Sequence, residues 1–314
     1  MKSTESAATD TATRLDRARV RRSFERAAAT YDGAAVLQRE VGQRMAERLG
    51  FVRMQPATIL DAGCGTGAAL GELHARYPDA RLIGVDLALS MARTARDRAG
   101  AAGASARSLL GRVLGPLAPA RDLRPWCICG DVAALPIKAA SVDLIWSNLT
   151  LQWVGDPQAV FAEFRRVLCT GGLVSFTTFG PDTLKELRAA FLAADRATHV
   201  GSFIDMHDIG DMLVHAGFAD PVMDMETLTL TYGDAIGLMR DLKAIGAHNV
   251  TAGRPRGLMG RRRWQRMLAA LEATRRDGRL PASFEVVYGH AWKPEPRTTD
   301  DGSAIIRIEP RTRR

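Results

Sequence analysis

Cysteine, lysine and long apolar runs are scarce in this sequence of 314 residues. The few cysteines and the lack of long apolar runs each argue against a class of protein. The four cysteines, Cys64, Cys127, Cys129 and Cys169, show neither CxxC spacing nor paired histidines, so no metal site is expected. We predict free, buried thiols, as in a protein of the reducing cytoplasm. No stretch approaches the roughly 18 consecutive apolar residues of a membrane-spanning helix.

The first residues lack the apolar core of a secretory signal. Their arginine and serine content suggests a transit peptide, but Glu5, Asp10 and Asp16 argue against one. We therefore predict a disordered leader over residues 1–13 and a cytoplasmic protein. The polar tail over residues 294–314 is also predicted to be disordered.

The formal net charge is +8, and only five of the 43 basic residues are lysines. Such a charge is compatible with a polyanionic partner, an anionic membrane surface or an acidic protein. The alternative, a solvated basic surface, is favoured. Because basic residues do not interleave with aromatic residues as in proteins that bind single-stranded nucleic acid, we expect no nucleic-acid partner. We expect no membrane partner either.

The stretch ATILDAGCGTG, residues 57–67, predicts a ligand site. A short apolar run ends at Asp61, three glycines follow within five residues, and an alanine- and leucine-rich segment comes next. This order is typical of a strand that enters a helix through a tight turn. Glycine there permits positive φ values and the close approach of a ligand to the N–H groups of the helix.

Polar residues also follow the next strands. ARLIGVD ends at Asp86, which could accept hydrogen bonds from ribose hydroxyls or could simply cap the helix that begins near Leu89. Asp131 and Val132 follow a third strand and could hold an adenine ring, and Asn148 follows a fourth. Since ligands bind beyond the carboxyl ends of parallel strands, these ends predict one shared pocket.

The remaining pattern predicts a single domain over residues 14–293. Helical spacing over residues 14–50 is broken at Tyr31, and residues 100–125 read as a surface insertion with one helical turn at 109–114. Further elements are predicted as follows: strands at 126–130, 142–146, 172–179, 222–231 and 284–292, and helices at 182–196, 206–216, 233–246 and 261–277.

DAGCGTG, the acid after the second strand, GDV and SNL together resemble the class I S-adenosylmethionine-dependent methyltransferases over residues 57–179. The resemblance implies an α/β fold with a seven-stranded, mostly parallel, Rossmann-like sheet. Helices would cover both faces, the last two strands would pair antiparallel, and a helical region would cover the substrate.

Other segments narrow the family. FERAAATYDGAAVLQ, WSNLTLQWVGD, VSFTTFGPDTLKELR, LMRDLKAIGAHNV and FEVVYGHAWK are similar to the malonyl-acyl-carrier-protein O-methyltransferases of biotin synthesis. This resemblance spans residues 22–293 without the insertion. It implies methyl transfer to the free carboxylate of a malonyl thioester on acyl-carrier protein, or on coenzyme A.

The resemblance also assigns the S-adenosylmethionine site. It implies that Asp61, Gly63 and Gly65 contact the methionine end of the donor and that Asp86 and Leu87 contact its ribose. Asp131 and Val132 would contact the adenine, and Asn148 and Leu149 the methyl-bearing end.

The residues that bind the acceptor are predicted mostly from the resemblance, and chemistry states what they must do. A malonyl carboxylate is ionised at pH 7 and needs no general base, only a partner that positions it. An arginine suits this role because its planar fork can bind both oxygens. Arg240 is the predicted anchor because its segment, LMRDLKAIG, belongs to the resemblance, although it could be a surface arginine. Tyr31 could close over the substrate or serve as a core aromatic. Lys243 and His248 are further candidates that could equally be structural or solvated.

The pocket wall is predicted to include Gln152 and Trp153, the latter equally a core residue. A docking surface for an acidic carrier protein is predicted at Arg254, Arg256, Arg261, Arg262, Arg263 and Arg266. Two alternatives remain at this point. One is the complex I assembly hydroxylase, which shares the FGPDTLKELR region, and the other is a nucleic-acid methyltransferase, suggested by the basic composition.

Overall fold

A computed structural model describes residues 15–114, 124–255, 257 and 259–295, with the side chains of 102–114 left out. The predicted leader lies outside the described residues, as does the predicted tail beyond residue 295. The described elements build one seven-stranded sheet with helices on both faces, which confirms the predicted fold class.

The sheet has the spatial order β3-β2-β1-β4-β5-β7-β6. Its strands are β1 (Thr58–Ala62), β2 (Arg81–Asp86), β3 (Trp126–Cys129), β4 (Val142–Ser147), β5 (Leu168–Phe179), β6 (Ala219–Tyr232) and β7 (Leu280–Trp292). Strands β1 to β5 pair in parallel, whereas β7 runs antiparallel to both β5 and β6. The antiparallel pairing of the last two strands is thus confirmed.

Ten α-helices lie in the described residues. They are α1 (Arg17–Ala27), α2 (Tyr31–Ala34), α3 (Val36–Leu49), α4 (Ala68–Arg76), α5 (Leu89–Leu114), α6 (Pro157–Val167), α7 (Lys185–Ala194), α8 (Met206–His215), α9 (Ala235–Ala244) and α10 (Arg261–Glu272). The helical pattern that precedes β1 therefore breaks just before Tyr31, which begins the one-turn helix α2. Within the described segments, no helix combines the length and hydropathy that crossing a bilayer requires.

The strands β1, β2, β4 and β5 are largely buried on both faces because helices cover both, whereas the edge strand β6 alternates between half-buried and exposed residues. In β1, Ile59 packs into a core beneath α3, α7 and α10, while its neighbour Leu60 packs into a second core beneath α6 and α8. Successive side chains of a strand point to opposite faces, so a strand buried on both sides reads as a continuous apolar run. This is why the strands could be recognised from the sequence.

The long helix α5 corrects one prediction. It continues through residues 100–114, where the alanine- and glycine-rich composition had predicted an irregular insertion with one helical turn. The rest of that segment, residues 115–123, lies outside the described residues. A second correction concerns the thiols, since Cys64 is buried as predicted but Cys129 is exposed at the end of β3.

The chain order of the strands creates the site. From β1 the chain moves outward through β2 to β3, and then returns to place β4 on the other side of β1. A crevice forms where the winding direction reverses, beyond the carboxyl ends of β1 and β4. Asp61 pairs across the sheet with Gly84 on one side and Trp146 on the other, so it lies at the base of this crevice.

Candidate functional site

The turn after β1 is shaped by glycines that other residues could not replace without strain. Gly63, Gly65 and Gly67 have φ values of 85°, 52° and 78°, in the left-handed region. A Cβ atom on Gly63 would stand 2.1 Å from Thr150 Oγ1, and one on Gly67 would stand 2.8 Å from the Cβ of Ala95. The turn therefore packs tightly against Thr150 and Ala95, while Gly65 faces open space towards Tyr31.

Asp86 fixes this turn from the end of β2. Its Oδ2 accepts a hydrogen bond from the Gly65 N–H at 2.9 Å, and its Oδ1 accepts one from the Ala88 N–H at 2.8 Å. Each carboxylate oxygen has a second lone pair, and the side chain lines the cavity. Asp86 thus holds the loop and can still accept hydrogen bonds from a ligand, which combines the two roles that the sequence left as alternatives.

Three buried polar atoms without hydrogen-bond partners, among the described residues, converge beside the turn. They are Asp61 Oδ2, Gln38 Oε1 and Trp146 Nε1. Their residues line one small cavity of about 190 Å³ between α3 and the glycine turn. Orphaned buried polar groups are rare and costly, so a cluster of them signals a polar ligand. Two acceptors beside one donor suit the ammonium and carboxylate groups of an amino acid.

The charges at this point favour a cationic ligand. Burial, reinforced by the neighbouring carboxylate of Asp86, raises the pKa of Asp61 to about 8. Burial also raises the pKa of Asp86 to about 6, although the hydrogen bonds from Ala88 and Gly65 oppose this shift. A cation placed beside Asp61 would reverse its shift, because an opposite charge favours the ionised carboxylate.

We therefore expect donor binding to release a proton near pH 7. The carboxyl of Asp61 is largely protonated below pH 8 in the free protein, and an ammonium group beside it expels that proton. Affinity for S-adenosylhomocysteine should rise as the pH increases from 6 to 8. Calorimetry in buffers of different ionisation enthalpy measures the released proton. No release at pH 7, or the same release from Asp61→Asn, would contradict this electrostatic account.

The raised pKa of Asp61 also determines whether the stability of the fold rises or falls with pH. A carboxyl whose pKa is raised by folding contributes its full stability only below its ordinary pKa, near 4, and that contribution is lost as the pH rises through about 8. The ligand-free protein should therefore become less stable across this range, as far as Asp61 is concerned, and the bound donor should offset the loss.

The segments that follow β3 and β4 contribute further residues to the cavity that Asp86 lines. Asp131 and Val132 both line it, and Asp131 is held by the Ala133 N–H, which donates to its Oδ1 at 2.9 Å. Asn148 is fixed on two sides, since its Nδ2 donates to the Gln38 carbonyl at 2.9 Å and its Oδ1 accepts from Thr177 Oγ1 at 2.7 Å.

Helix α1 covers this cavity as a lid, and three contacts hold it there. Arg17 pairs with Asp131 at 2.6 Å, and the ring of Phe24 meets Trp153 edge-on with centroids 5.2 Å apart. Glu25 accepts hydrogen bonds from the backbone N–H groups of Leu89 at 2.7 Å and Ser90 at 3.0 Å, at the start of α5. Such a carboxylate satisfies two of the unpaired donors at a helix N-terminus.

The cavity beneath the lid measures about 380 Å³. It brings together nearly all of the residues predicted for the donor, and Tyr31, Gln152 and Trp153 line it as well. The predicted donor-binding residues on its wall are Gly63, Gly65, Asp86, Leu87, Asp131, Val132, Asn148 and Leu149. Asp61 lines the adjoining small cavity, which shares Tyr31, Gly63, Gly65 and Asn148 with the large one.

The structure does not bring the predicted cationic acceptor residues to this wall. Arg240 is exposed on α9, two positions before Leu242, which does line the cavity. Residues two positions apart on a helix point to roughly opposite faces, so Arg240 faces solvent. Lys243 and His248 are exposed too. Partial desolvation of the His248 ring, followed by the charges of Lys243 and Arg26, nevertheless lowers its pKa.

Sequence reasoning did not identify Gln38, Trp146, Phe24 or Glu25 as site residues. Trp146 lies inside an apolar strand and Gln38 and Phe24 lie in amphipathic helices, where core or solvent roles are the ordinary expectation. Glu25 meets its partners 64 and 65 residues further along the chain, and no local pattern signals such a contact.

Comparison with known proteins agrees with this geometry. The family model described as a methyltransferase domain matches residues 60–176. A malonyl-[acyl-carrier protein] O-methyltransferase of Laribacter hongkongensis is 57% identical over 94% of this chain and 96% of its own length. The protein of that name from Gallionella capsiferriformans is 53% identical over 93% and 96%. The solved structure of the YcgJ protein of Bacillus subtilis has a TM-score of 0.51 at 16% identity, covers 80% of this chain and 98% of its own, and bears on the fold alone.

Proposed function

This chain belongs to the malonyl-[acyl-carrier protein] O-methyltransferase family, and we propose that it methylates the free carboxylate of a malonyl thioester carried on acyl-carrier protein. The product would be the malonyl methyl ester that primes biotin synthesis, made in the cytoplasm. The names of the relatives support the acceptor. The observation that supports the donor is the cluster of unpartnered Asp61, Gln38 and Trp146 atoms beside the cavity at Asp86.

The residues present fit S-adenosylmethionine. The orphaned acceptors of Asp61 and Gln38 suit its ammonium group, and the Trp146 N–H suits its carboxylate. Asp86 would receive the ribose hydroxyls, and Asp131 with Val132 would receive the adenine. When bound, the donor supplies a methyl group on a positively charged sulfur.

The protein's task is then to position the acceptor rather than to activate it. An ionised carboxylate is already a nucleophile, so catalysis relies on holding it in line with the methyl group and on excluding water. Phe24 and Trp153 close the cavity from above, and Asn148 is locked by Thr177 and by the Gln38 carbonyl. A rigid, covered site of this kind serves both purposes.

We assign the contact with the acceptor carboxylate to Tyr31 rather than to Arg240. Burial, followed by the charges of Asp86, Asp32 and Asp61, raises the pKa of Tyr31 well above its ordinary value. The phenol therefore keeps its proton and can donate a hydrogen bond to a carboxylate. Its ring faces Gly65 with Cε1 about 4.0 Å from where a Cβ atom would be, so it lies next to the donor loop.

Tyr31→Phe is expected to raise the KM for malonyl-coenzyme A by roughly tenfold to a hundredfold, the effect of losing one hydrogen bond to a charged group. Arg240→Ala should leave this KM within about twofold, because the side chain faces solvent. Steady-state kinetics with labelled donor measures both. The opposite ranking would return the anchor role to Arg240.

The carrier protein remains the proposed partner, in preference to coenzyme A. Arg261, Arg262 and Arg263 are exposed at the start of α10 and can attract an acidic surface. Arg254 lies nearby in sequence with its Nη1 bonded to the Thr251 carbonyl at 3.0 Å, and Arg266 donates to the Ala194 carbonyl at 3.0 Å. Arg256 lies outside the described residues.

The reaction itself is tested by the mass of the product. Malonyl-carrier protein should gain the mass of one methylene, and base hydrolysis, which cleaves the ester and the thioester alike, should release this methyl group as methanol. Acetyl-carrier protein has no free carboxylate and should remain unchanged. Methylation of the acetyl form, or at a carbon that resists saponification, would refute carboxyl transfer.

A further inference from the structure

A second cavity of about 660 Å³ lies beside the 380 Å³ cavity beneath α1, which is the donor cavity. Its floor is buried and apolar, formed by Leu151, Phe161 and Ile209. Ser202 is exposed on its wall and does not line the first cavity, and the exposed Gly155 and Asp156 line both cavities, so the second cavity opens to solvent along this rim. It therefore extends from the surface towards the reaction centre.

The two cavities meet at a wall that they share. The rings of Phe179 and Phe203 in this wall pack edge-on with centroids 5.6 Å apart. The residues that line both cavities are Leu15, Gln152, Val154, Gly155, Asp156, Phe179 and Phe203. Gln152 is held by two hydrogen bonds, from its Nε2 to the Leu149 carbonyl at 2.8 Å and from Thr178 Oγ1 to its Oε1 at 3.3 Å. An amide fixed in this way keeps one N–H free for a group that passes between the cavities.

The wall chemistry of the second cavity is mixed. Alongside the apolar floor it presents the hydroxyls of Thr178, Ser202 and Thr251. Arg254 stands next to it, because both its backbone N–H and its Nη1 reach the Thr251 carbonyl, at 3.4 Å and 3.0 Å. The acid at the opening, Asp156, already accepts a hydrogen bond from the Ala159 N–H at the start of α6.

We propose that the second cavity binds the phosphopantetheine arm of the acyl thioester. This arm is a narrow chain with two amides, a hydroxyl, a pair of methyl groups and a terminal phosphate. The apolar floor suits the methyl groups, the hydroxyls suit the amides, and Arg254 suits the phosphate at the surface. The malonyl group then enters the donor cavity past Gln152. The inference rests on the proposed function, since it names how that substrate reaches the site.

Ile204→Trp tests the channel, because Ile204 is half-buried on its wall and the larger ring would fill it. The matched control is Val214→Trp, an exposed position on α8. Ile204→Trp should raise the KM for malonyl-carrier protein and for malonyl-coenzyme A by roughly tenfold or more, and leave malonyl-N-acetylcysteamine, which has only the tip of the arm, within about twofold. The affinity for S-adenosylhomocysteine should stay unchanged in both variants.

Direct binding separates failure of the channel from failure of the reaction. Pantetheine should bind wild type and Val214→Trp, saturated with S-adenosylhomocysteine, but not Ile204→Trp. This pattern without methyl transfer would support the channel and refute only the proposed function. Absence of pantetheine binding in wild type, or equal KM values in the two tryptophan variants, would overturn the channel.

Arg254→Ala gives a second test of the channel, which does not depend on whether Ile204→Trp folds. It should weaken phosphopantetheine binding by roughly tenfold, the effect of one charged hydrogen bond, and leave pantetheine binding unchanged. Equal loss for the two ligands, or no loss for either, would remove the phosphate contact and with it the assigned direction of the arm.

Discussion

Asp86→Ala is expected to raise the Kd for S-adenosylhomocysteine by roughly a hundredfold, the largest effect of any single side chain in the cavity. Hydrogen bonds from ribose hydroxyls to a carboxylate contribute about 1.5 to 3 kcal/mol. The change also leaves the Gly65 and Ala88 N–H groups without their acceptor, so the turn that cradles the donor loses its support. Titration calorimetry on the folded variant measures the effect.

The matched control is Asp79→Ala, at an exposed acid just before β2. It should bind S-adenosylhomocysteine as wild type does, since surface substitutions of this kind usually change stability by less than about 0.5 kcal/mol. A Kd for Asp86→Ala within about threefold of the control would mean that Asp86 serves only as a local cap, the alternative that its sequence position allowed.

Gly63→Ala is expected to destabilise the protein by roughly 2 to 5 kcal/mol. A left-handed backbone conformation costs a non-glycine residue about 1 to 2 kcal/mol, and overpacking adds about 1 to 3 kcal/mol. The overpacking arises because the new Cβ atom would stand 2.1 Å from Thr150 Oγ1. Urea unfolding, with an unchanged m-value, gives the loss directly.

Gly65→Ala separates strain from collision. Gly65 shares the positive φ value, but its nearest neighbour to an added Cβ atom is Tyr31 Cε1 at 4.0 Å. This variant should lose only the strain contribution, about 1 to 2 kcal/mol. Equal losses at the two positions would show that the contact with Thr150 relaxes at no cost and that the turn is less rigid than described.

The convergence of the residues proposed for the donor on adjoining cavities could be predicted from the sequence because their signals are local. An apolar run that ends in an acid and glycines identifies β1 and its turn, and the acid that ends β2 follows the same logic. The sheet then brings such ends together, as the register between Asp61 and Gly84 shows. Residues distant in the chain met as expected because parallel strands share one functional edge.

The acceptor half could not be predicted in the same way. The structure confirms a helix at Arg240, but which face of α9 turns inward is decided by the packing of Leu238 and Leu242. The extension of α5 was missed because glycines such as Gly100 and Gly103 usually interrupt helices. The lid contacts of Glu25 and the second cavity depend on tertiary packing and leave no trace in a sequence window.

Transfer of a labelled methyl group tests the central claim most directly. Purified protein with radiolabelled S-adenosylmethionine would be offered malonyl-carrier protein and bulk tRNA in one reaction. We expect label on the carrier protein alone, released by base as volatile labelled methanol, and far less label there with Tyr31→Phe and Asp86→Ala combined. Label on tRNA, or an unlabelled malonyl carrier while S-adenosylmethionine binds normally, would contradict it.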